Sequence, residues 1–565
     1  MPTPLESEYG PWNPGIESQM PKELLHLATI FRSENVFTSV AGAAELRSLT
    51  GFELSELVVF RPQRLALHEL LIRVTADFAV PDGTRIEDLG LNFREIARLL
   101  LSRYLEPHMD SIVGVYDRAR RDAKRIIDAA LSRLGRGWGP EQIAAFEQSA
   151  AATGDAMEAA AYKSVARTMS ALFTTQGQAW GTRDLIAAMA IDLASNLAGS
   201  DCVGRAIDPL LRQAAGEQGY TLLPKQEHPV VINTKGPSAS GKSTLRPLLK
   251  KLAGDIGIQW VDFALISPDI WRKQLLDYAS LGSAYKYAGA FTSDELQIVD
   301  QKLDRYMANK HRRGQMSHLL IDRFRFDSFA PDSDEAGSNL LTRFGQSVYL
   351  FFMITPPEML VERAWMRGLE VGRYKAVDDT LAHAVEAYSG IPDVFFTWIH
   401  RSDKRIQFEF LDNTVRLGER PRTVAFGDNE TFNVLDVKGT LDIQRYARVD
   451  VDAAAAEFLY SDAALLDPER NTEFLKRCVK VFRRVNFADQ ASGRVYLRIE
   501  SGKTVWKDAA AFQAAMISPD TLAGIRAVAA DAFADSAPET RRQEYLAGGN
   551  DAAALPTLGQ WGALA

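Results

Sequence analysis

Two cysteines, Cys202 and Cys478, are all that the 565 residues contain. That is too few for a disulfide framework or a four-cysteine zinc site within one chain, and it suits a reducing cytosol. Histidine is scarce too, at eight residues. His68-Glu69 lacks the second histidine of H-E-x-x-H, and His311 and His318 have no nearby cysteine, so no metal cluster is expected. His68, on an apolar helix, reads as a packing residue or a local hydrogen-bond partner. No Ser-His-Asp or Cys-His arrangement emerges from the spacing. No run approaches the roughly 20 apolar residues of a membrane-spanning helix. The first fifteen residues carry Glu6, Glu8 and several prolines without a basic start and apolar run, so no secretory leader is read there. The expected location is the cytoplasm; delivery by a specialised export system would leave no such trace. Nor is there an excess of positive charge: 65 Lys and Arg against 73 Asp and Glu give a formal charge of -8. This argues against chain-wide attraction to nucleic acid or an anionic membrane, though not against a local basic groove.

What is there fits a globular chain of several structural units: 46% hydrophobic residues, 24% charged, and 39 glycines without a short period. Residues 1–20 are polar and rich in proline and glycine, as in a flexible arm. Residues 21–220 read as a helical domain. Apolar residues recur every three or four positions in Arg64 to Phe78 and Phe93 to Tyr104, and Ala145 to Leu172 is alanine-rich. Breaks fall at Pro81-Asp82-Gly83 and between Gly135 and Pro140. From 228 to 450 short β-branched runs alternate with helical stretches: Val230 to Asn233, a run within Ile256 to Ile266, His318 to Ile321, Val348 to Ile354, and Arg405 to Leu411. This alternation predicts an α/β fold with a parallel sheet and crossover helices. Residues 451–547 read as a smaller helical region with a hairpin around Ser501-Gly502-Lys503, and 548–565 as a loose tail.

The sharpest motif is Gly236-Pro237-Ser238-Ala239-Ser240-Gly241-Lys242-Ser243-Thr244, a complete G-x-x-x-x-G-K-[ST] sequence between a strand and a helical stretch. In that context backbone N–H groups converge on a phosphate, Lys242 reaches the outer phosphates, and the Ser243 hydroxyl meets Mg²⁺. The loop by itself specifies a nucleoside triphosphate and does not choose among kinase, hydrolase switch and motor. Asp269, in Ser267-Pro268-Asp269, follows the second strand and suits a base that orients and deprotonates an acceptor hydroxyl. It also suits the N-cap of the next helix. Asp322 closes the third strand, where it could hold Mg²⁺. Arg323 and Arg325 alternate with Phe324 and Phe326 before Asp327, which fits either an anionic substrate group or a salt-bridge cluster. After the fourth strand, Thr355-Pro356-Pro357-Glu358 opens a helix carrying Arg363 and Arg367, followed by Gly372 and Arg373. These arginines fit a lid over the triphosphate; the alternative is a solvated helix face.

Over about residues 228 to 440 the chain resembles the zeta-toxin-like P-loop kinases. The resemblance is carried by Gly236 to Thr244, Ser267-Pro268-Asp269, and Ile354-Thr355-Pro356-Pro357-Glu358 through Arg363, Arg367, Gly368 and Gly372-Arg373-Tyr374. It implies ATP and Mg²⁺ as cofactors and a hydroxyl of a nucleotide-like small molecule as acceptor. In the toxins this is a UDP-linked amino sugar; in a related type III effector, which the lid and the Ser243 to Asp269 spacing approach more closely, it is NAD. Carried over, Gly236, Ser238, Ala239, Ser240, Gly241, Lys242, Ser243 and Thr244 bind ATP, and Ser243 and Asp322 bind the metal. Asp269 is the base, and Arg363, Arg367 and Arg373 meet phosphates. An antitoxin or other inhibitory partner is also implied. Two other readings stay open: a polynucleotide 5′-hydroxyl kinase, for which Arg305 and Lys310 to Arg313 form the best basic run, and an ATP-gated binding module.

Overall fold

The computed structural model describes residues 9–85, 87–134, 137–323, 340–416, 418–534, 545–549 and 555–562. Their contacts divide the chain into two compact units: Met20–Leu222 with Pro268–Leu303, and Met1–Gln19 with Leu223–Ser267 and Asp304–Ala565.

The first unit is helical. Its principal helices are Val40–Thr50, Pro62–Asp77, Asp88–Leu100, Met109–Ser132, Pro140–Ala152, Ala156–Gln176, Arg183–Ala194 and Ser200–Gln218. Local chemistry sets their ends: Ser39, Asp155 and Thr182 accept N–H bonds as N-caps, and Gly51, Gly177 and Gly219 turn left-handed at C-termini. The alanine-rich stretch is two helices, because Asp155 starts a new one. Small residues let them pack closely, with Ile127, Val165, Met169, Leu172, Ile186 and Ala190 in one core cluster. The helical run Arg183–Gln218 is long and apolar enough to cross a membrane by length and composition, which corrects the expectation that no segment is. Charges such as Asp192 and Asp201 punctuate the run, so no stretch within it is uninterruptedly apolar. Here Ile186, Ala190, Ile191 and Ala194 of that run lie in the helical core.

Pro62–Asp77 is buried almost all round, polar residues included. It survives burial because its charges are paired. Arg64 grips Glu295 with two bonds of 2.5 and 2.7 Å, and His68 Nε2 lies 2.7 Å from the same carboxylate. Glu69 accepts from Ser200 and Arg73, and Arg73 also meets Asp208. Lys302 donates to Ser200 at 2.9 Å. His68 is thus a hydrogen-bonded core histidine.

The second unit is built on one ten-stranded sheet in the order β10-β9-β8-β7-β6-β5-β4-β1-β3-β2. The strands are β1 Val230–Lys235, β2 Phe263–Ile266, β3 His318–Asp322, β4 Ser347–Ile354, β5 Arg405–Asp412, β6 Arg422–Asp428, β7 Thr431–Val434, β8 Arg484–Ala488, β9 Val495–Glu500 and β10 Lys503–Lys507. β2, β3, β1, β4 and β5 run parallel, and helices such as Arg246–Asp255, Ser293–Arg312 and Val377–Ile399 lie in connections between successive strands. Beyond β5 the sheet departs from the all-parallel expectation. The β5–β6 connection is too short for a crossover, and a two-residue turn joins β6 to β7, so both pairings are antiparallel. Asp428 caps that turn by accepting from the N–H groups of Glu430 and Thr431. A helical connection restores a parallel pair at β7–β8. The hairpin near 501 forms with Ser501 and Gly502 both at positive φ, and β9 joins it to β8. The C-terminal strands therefore extend the same sheet, flanked by the helices Glu473–Val481, Ala509–Ala515 and Pro519–Val528.

The parallel half is cemented by aromatics. Phe395 of the helix Val377–Ile399 packs edge-on to Phe408 at 4.8 Å, and Phe352 stacks on Phe410 at the same separation. With β1 central, the chain crosses to β3 and β2 on one side and to β4 and β5 on the other. That is a topological switch point, the place where open α/β sheets bind ligands at their strand carboxyl ends.

Candidate functional site

The segment 236–244 leaves β1 at this switch point. Three of its residues have positive φ: Gly236 at 154°, Ala239 at 65° and Gly241 at 90°. At Gly236 a side chain would strike Met353 and the Ser240 hydroxyl, and at Gly241 it would overlap the Asn413 side-chain amide, which would have to move. Glycine is needed at Gly241 on both counts, conformation and space. Lys242–Leu245 forms a tight 3-10 turn before the helix Arg246–Asp255, so the regular helix begins one turn later than the motif alone suggests.

The loop is held from three strand ends. Asn413, just past β5, donates from Nδ2 to the Ser240 carbonyl at 2.7 Å, and Thr355, just past β4, donates to the same oxygen at 3.4 Å. Thr355 is itself fixed by the fully buried Tyr388, whose hydroxyl donates to its carbonyl at 2.6 Å and accepts its N–H at 2.7 Å. From the third strand end, Asp322 accepts from the Ser243 hydroxyl at 3.3 Å. Lys242 folds back so that Nζ donates to the carbonyls of Gly236 and Pro237, both at 2.9 Å. Thr244 donates to the Gly241 carbonyl at 2.6 Å. Ser238 and Ala239 occupy the loop tip, and Ser240 is buried behind it.

Of the three arginines after β4, all are half-buried. Arg363, on the helix Pro357–Val371, donates to the carbonyls of Asn413 at 2.8 Å and Val415 at 3.1 Å. It therefore supports the residue that holds Ser240. Gly372 ends the helix in the left-handed region, and the chain turns back so that Tyr374 packs on Gly368 and meets Trp365 edge-on at 5.7 Å. Arg367 lies on the helix just before Gly368, and Arg373 on the segment that turns back. Arg323 is buried in an ion pair with Asp304 at 2.6 Å, the salt-bridge alternative among its two readings. Phe324, Arg325, Phe326 and Asp327 lie outside the described residues.

Asp269 belongs to the helical unit. It sits in the 3-10 turn Pro268–Trp271, exposed between two buried residues. Trp271 anchors the turn by donating from Nε1 to Thr75 at 3.0 Å. Arg272 meets the Asp269 carboxylate at 3.0 Å and is itself tied to the Gly289 carbonyl and the Thr292 hydroxyl. The carboxylate is thereby steered without being buried.

Chemically, Ser243 and Asp322 bring two hard oxygen donors together. That matches a Mg²⁺ ion, which takes few protein ligands and completes its shell with phosphate oxygens and water. No group of three or more His, Cys, Asp or Glu that could hold a metal occurs among the described residues. Sequence reasoning missed Asn413 and Tyr388. Asn413 was within reach, since polar residues just past parallel strands line such sites; Tyr388 lies mid-helix and carried no signal.

No family model matches the chain, and no curated protein matches it. A solved structure from the PezAT chromosomal toxin–antitoxin system of the human pathogen Streptococcus pneumoniae is similar to it at 17% identity, over 36% of this chain and 74% of that one, with a TM-score of 0.24. The likeness is weak and does not extend to the branch that phosphorylates NAD.

Proposed function

We propose that the chain is an ATP-dependent kinase that transfers the γ-phosphoryl group to a hydroxyl of a nucleotide-like small molecule, such as NAD or a UDP-sugar. The observation that carries this reading is the glycine loop at the switch point, with Lys242 at its mouth and Ser243 beside Asp322. In this reading the N–H groups of 238–243 and the Lys242 ammonium would hold the triphosphate, and Ser243 with Asp322 would hold Mg²⁺, which supplies charge neutralisation. Lys242 exchanges two carbonyl partners for phosphate oxygens, a charge-assisted bond being the stronger. Asp269, steered by Arg272, orients the acceptor hydroxyl and accepts its proton as the new P–O bond forms and the bond to the leaving ADP breaks. Arg363 acts through Asn413 on the loop, while Arg367 and Arg373 supply positive charge to the transferring group.

The test is incubation with labelled ATP and a panel of NAD, UDP-sugars, nucleosides and oligonucleotide 5′-hydroxyls. Lys242→Ala should abolish transfer, and Asp269→Asn should keep ATP binding while losing transfer. Full activity in the Lys242→Ala chain would overturn the assignment. Transfer only to oligonucleotides would favour the polynucleotide kinase, and ATP binding without transfer to any acceptor would favour the gated module.

A further inference from the structure

Within the helical unit a cleft of about 670 Å³ opens between the helix Asp88–Leu100 and residues 273–278, a size in the range of small-molecule sites. Its charges are unevenly satisfied. Asp88 is fully engaged, bonded by the Arg85 guanidinium and by the N–H groups of Thr84 and Arg85. Asp277 is turned to the Ala279 N–H at 3.0 Å. By contrast Arg94 and Arg98, one helical turn apart on the same face, have no ion pair or hydrogen bond among the described residues. Burial pushes the Arg94 guanidinium below its ordinary value, and the charge of Arg98 adds to that. Two guanidiniums without a carboxylate partner among the described residues, lining one cavity, suit an anion. Lys273 adds a third cation and lies 5.7 Å from the centre of the Tyr278 ring. Leu91 and Leu276 supply apolar wall, and Glu95 offers a carboxylate on the same lining.

We propose that this cleft binds a nucleotide, with its phosphate on Arg94, Arg98 and Lys273. The Tyr278 face suits a planar base, and the Glu95 carboxylate suits a sugar hydroxyl. The cleft also borders the segment that presents Asp269: Ile270 lies against Gly90, and Lys273 follows Arg272 directly. The binding assignment stands on the cleft alone; that the bound nucleotide is the phosphoryl acceptor rests on the kinase reading above.

The probe is AMP, titrated calorimetrically into the full-length chain, with adenosine and inorganic pyrophosphate as controls. AMP should bind one to one to the parent and to Lys242→Ala alike, since the loop is not involved. Arg94→Gln with Arg98→Gln should weaken AMP at least about tenfold while leaving ATP binding to the loop intact. Adenosine should bind at least about tenfold more weakly than AMP, and pyrophosphate should compete. Because neither arginine holds another described residue, the double variant should melt like the parent. If it does not, Lys273→Gln, whose ammonium is exposed, gives the same reading through a smaller loss of AMP affinity. AMP binding that disappears in Lys242→Ala and persists in the arginine variant overturns the proposal, as does the absence of saturable AMP binding or equal affinity for adenosine. Failure of the kinase reading appears instead as absent phosphoryl transfer with AMP binding unchanged.

Discussion

Glu409 lies in the middle of β5, fully buried, and its carboxylate accepts three hydrogen bonds: from the Thr423 hydroxyl at 2.7 Å, the Gly559 N–H at 2.9 Å and the Leu558 N–H at 2.6 Å. Burial outweighs these donors and the nearby Arg420 charge, pushing the carboxyl up from 4.5 to about 7. Between those values the folded chain holds a proton that the unfolded chain has released, so stability falls as pH rises through the window. At about 1.4 kcal/mol per unit the loss totals roughly 3 kcal/mol. Glu409→Gln removes the titration. Its amide oxygen can still accept from Thr423 and Gly559, but the amide nitrogen then faces the Leu558 N–H, donor against donor, costing about 1–3 kcal/mol at every pH. The variant should therefore be the less stable chain near pH 4.5 and should match or exceed the parent near pH 8. The assay is thermal and urea unfolding across that range, read as the difference between the two chains. Exchange of the Leu558 and Gly559 amides reports whether residues 555–562 stay docked. A difference that does not change with pH would refute the reasoning.

His68 should show the opposite slope. Its pKa is lowered from 6.5 to about 4 by burial first and by the Lys302 charge next, so the unfolded chain binds a proton in that window and the folded chain does not. Stability should drop by about 2 kcal/mol between pH 6.5 and pH 5, and His68→Gln should lose that dependence, as read from melting of the helical unit. Gly241→Ala should cost about 1–3 kcal/mol for a side chain at φ 90° and should also displace Asn413; on the proposed kinase reading it should weaken ATP binding at least about tenfold. Asn413→Ala in that background should recover part of the steric loss, whereas additive losses in calorimetric titrations would show that the two residues do not meet.

The parallel half of the sheet was legible because hydrophobic runs of β1 to β5 are each bounded by helical stretches, and because the glycine loop carries its own punctuation. Of the antiparallel half, the hairpin of β9 and β10 was legible, but β6 and β7 were not. β6 contains Gly427, and β7 is only four residues long, Thr431–Val434, so neither shows periodicity above background. β5 illustrates the limit better still. Its alternation, Ile406, Phe408, Phe410 against Gln407 and Glu409, reads as one buried and one solvated face, yet Glu409 is buried by residues about 150 positions away that the local pattern cannot reveal. In the site, Lys242, Ser243 and Asp322 were legible as types at known spacings, and the structure places the latter two side by side. Arg363 was legible as an arginine near the loop, but its engagement with two backbone carbonyls depends on where the chain goes after β5.

β5 carries two loads at once. Its middle gives Glu409 to the C-terminal segment, and its end gives Asn413 to the glycine loop. It is also the strand where the pairing changes hand, parallel to β4 and antiparallel to β6, with a register shift between Phe410 and Leu411 on the β6 side only. The β4 pairing runs unbroken from Ser347–Arg405 to Ile354–Asp412, so that side fixes the position of Asn413. The bulge takes up misfit from the antiparallel side before it reaches the loop. Ligand chemistry at the carboxyl end of β5 is thus mechanically referred to β1 and β4, and titration of Glu409 should alter the docking of residues 555–562 without moving the Asn413 amide from the Ser240 carbonyl.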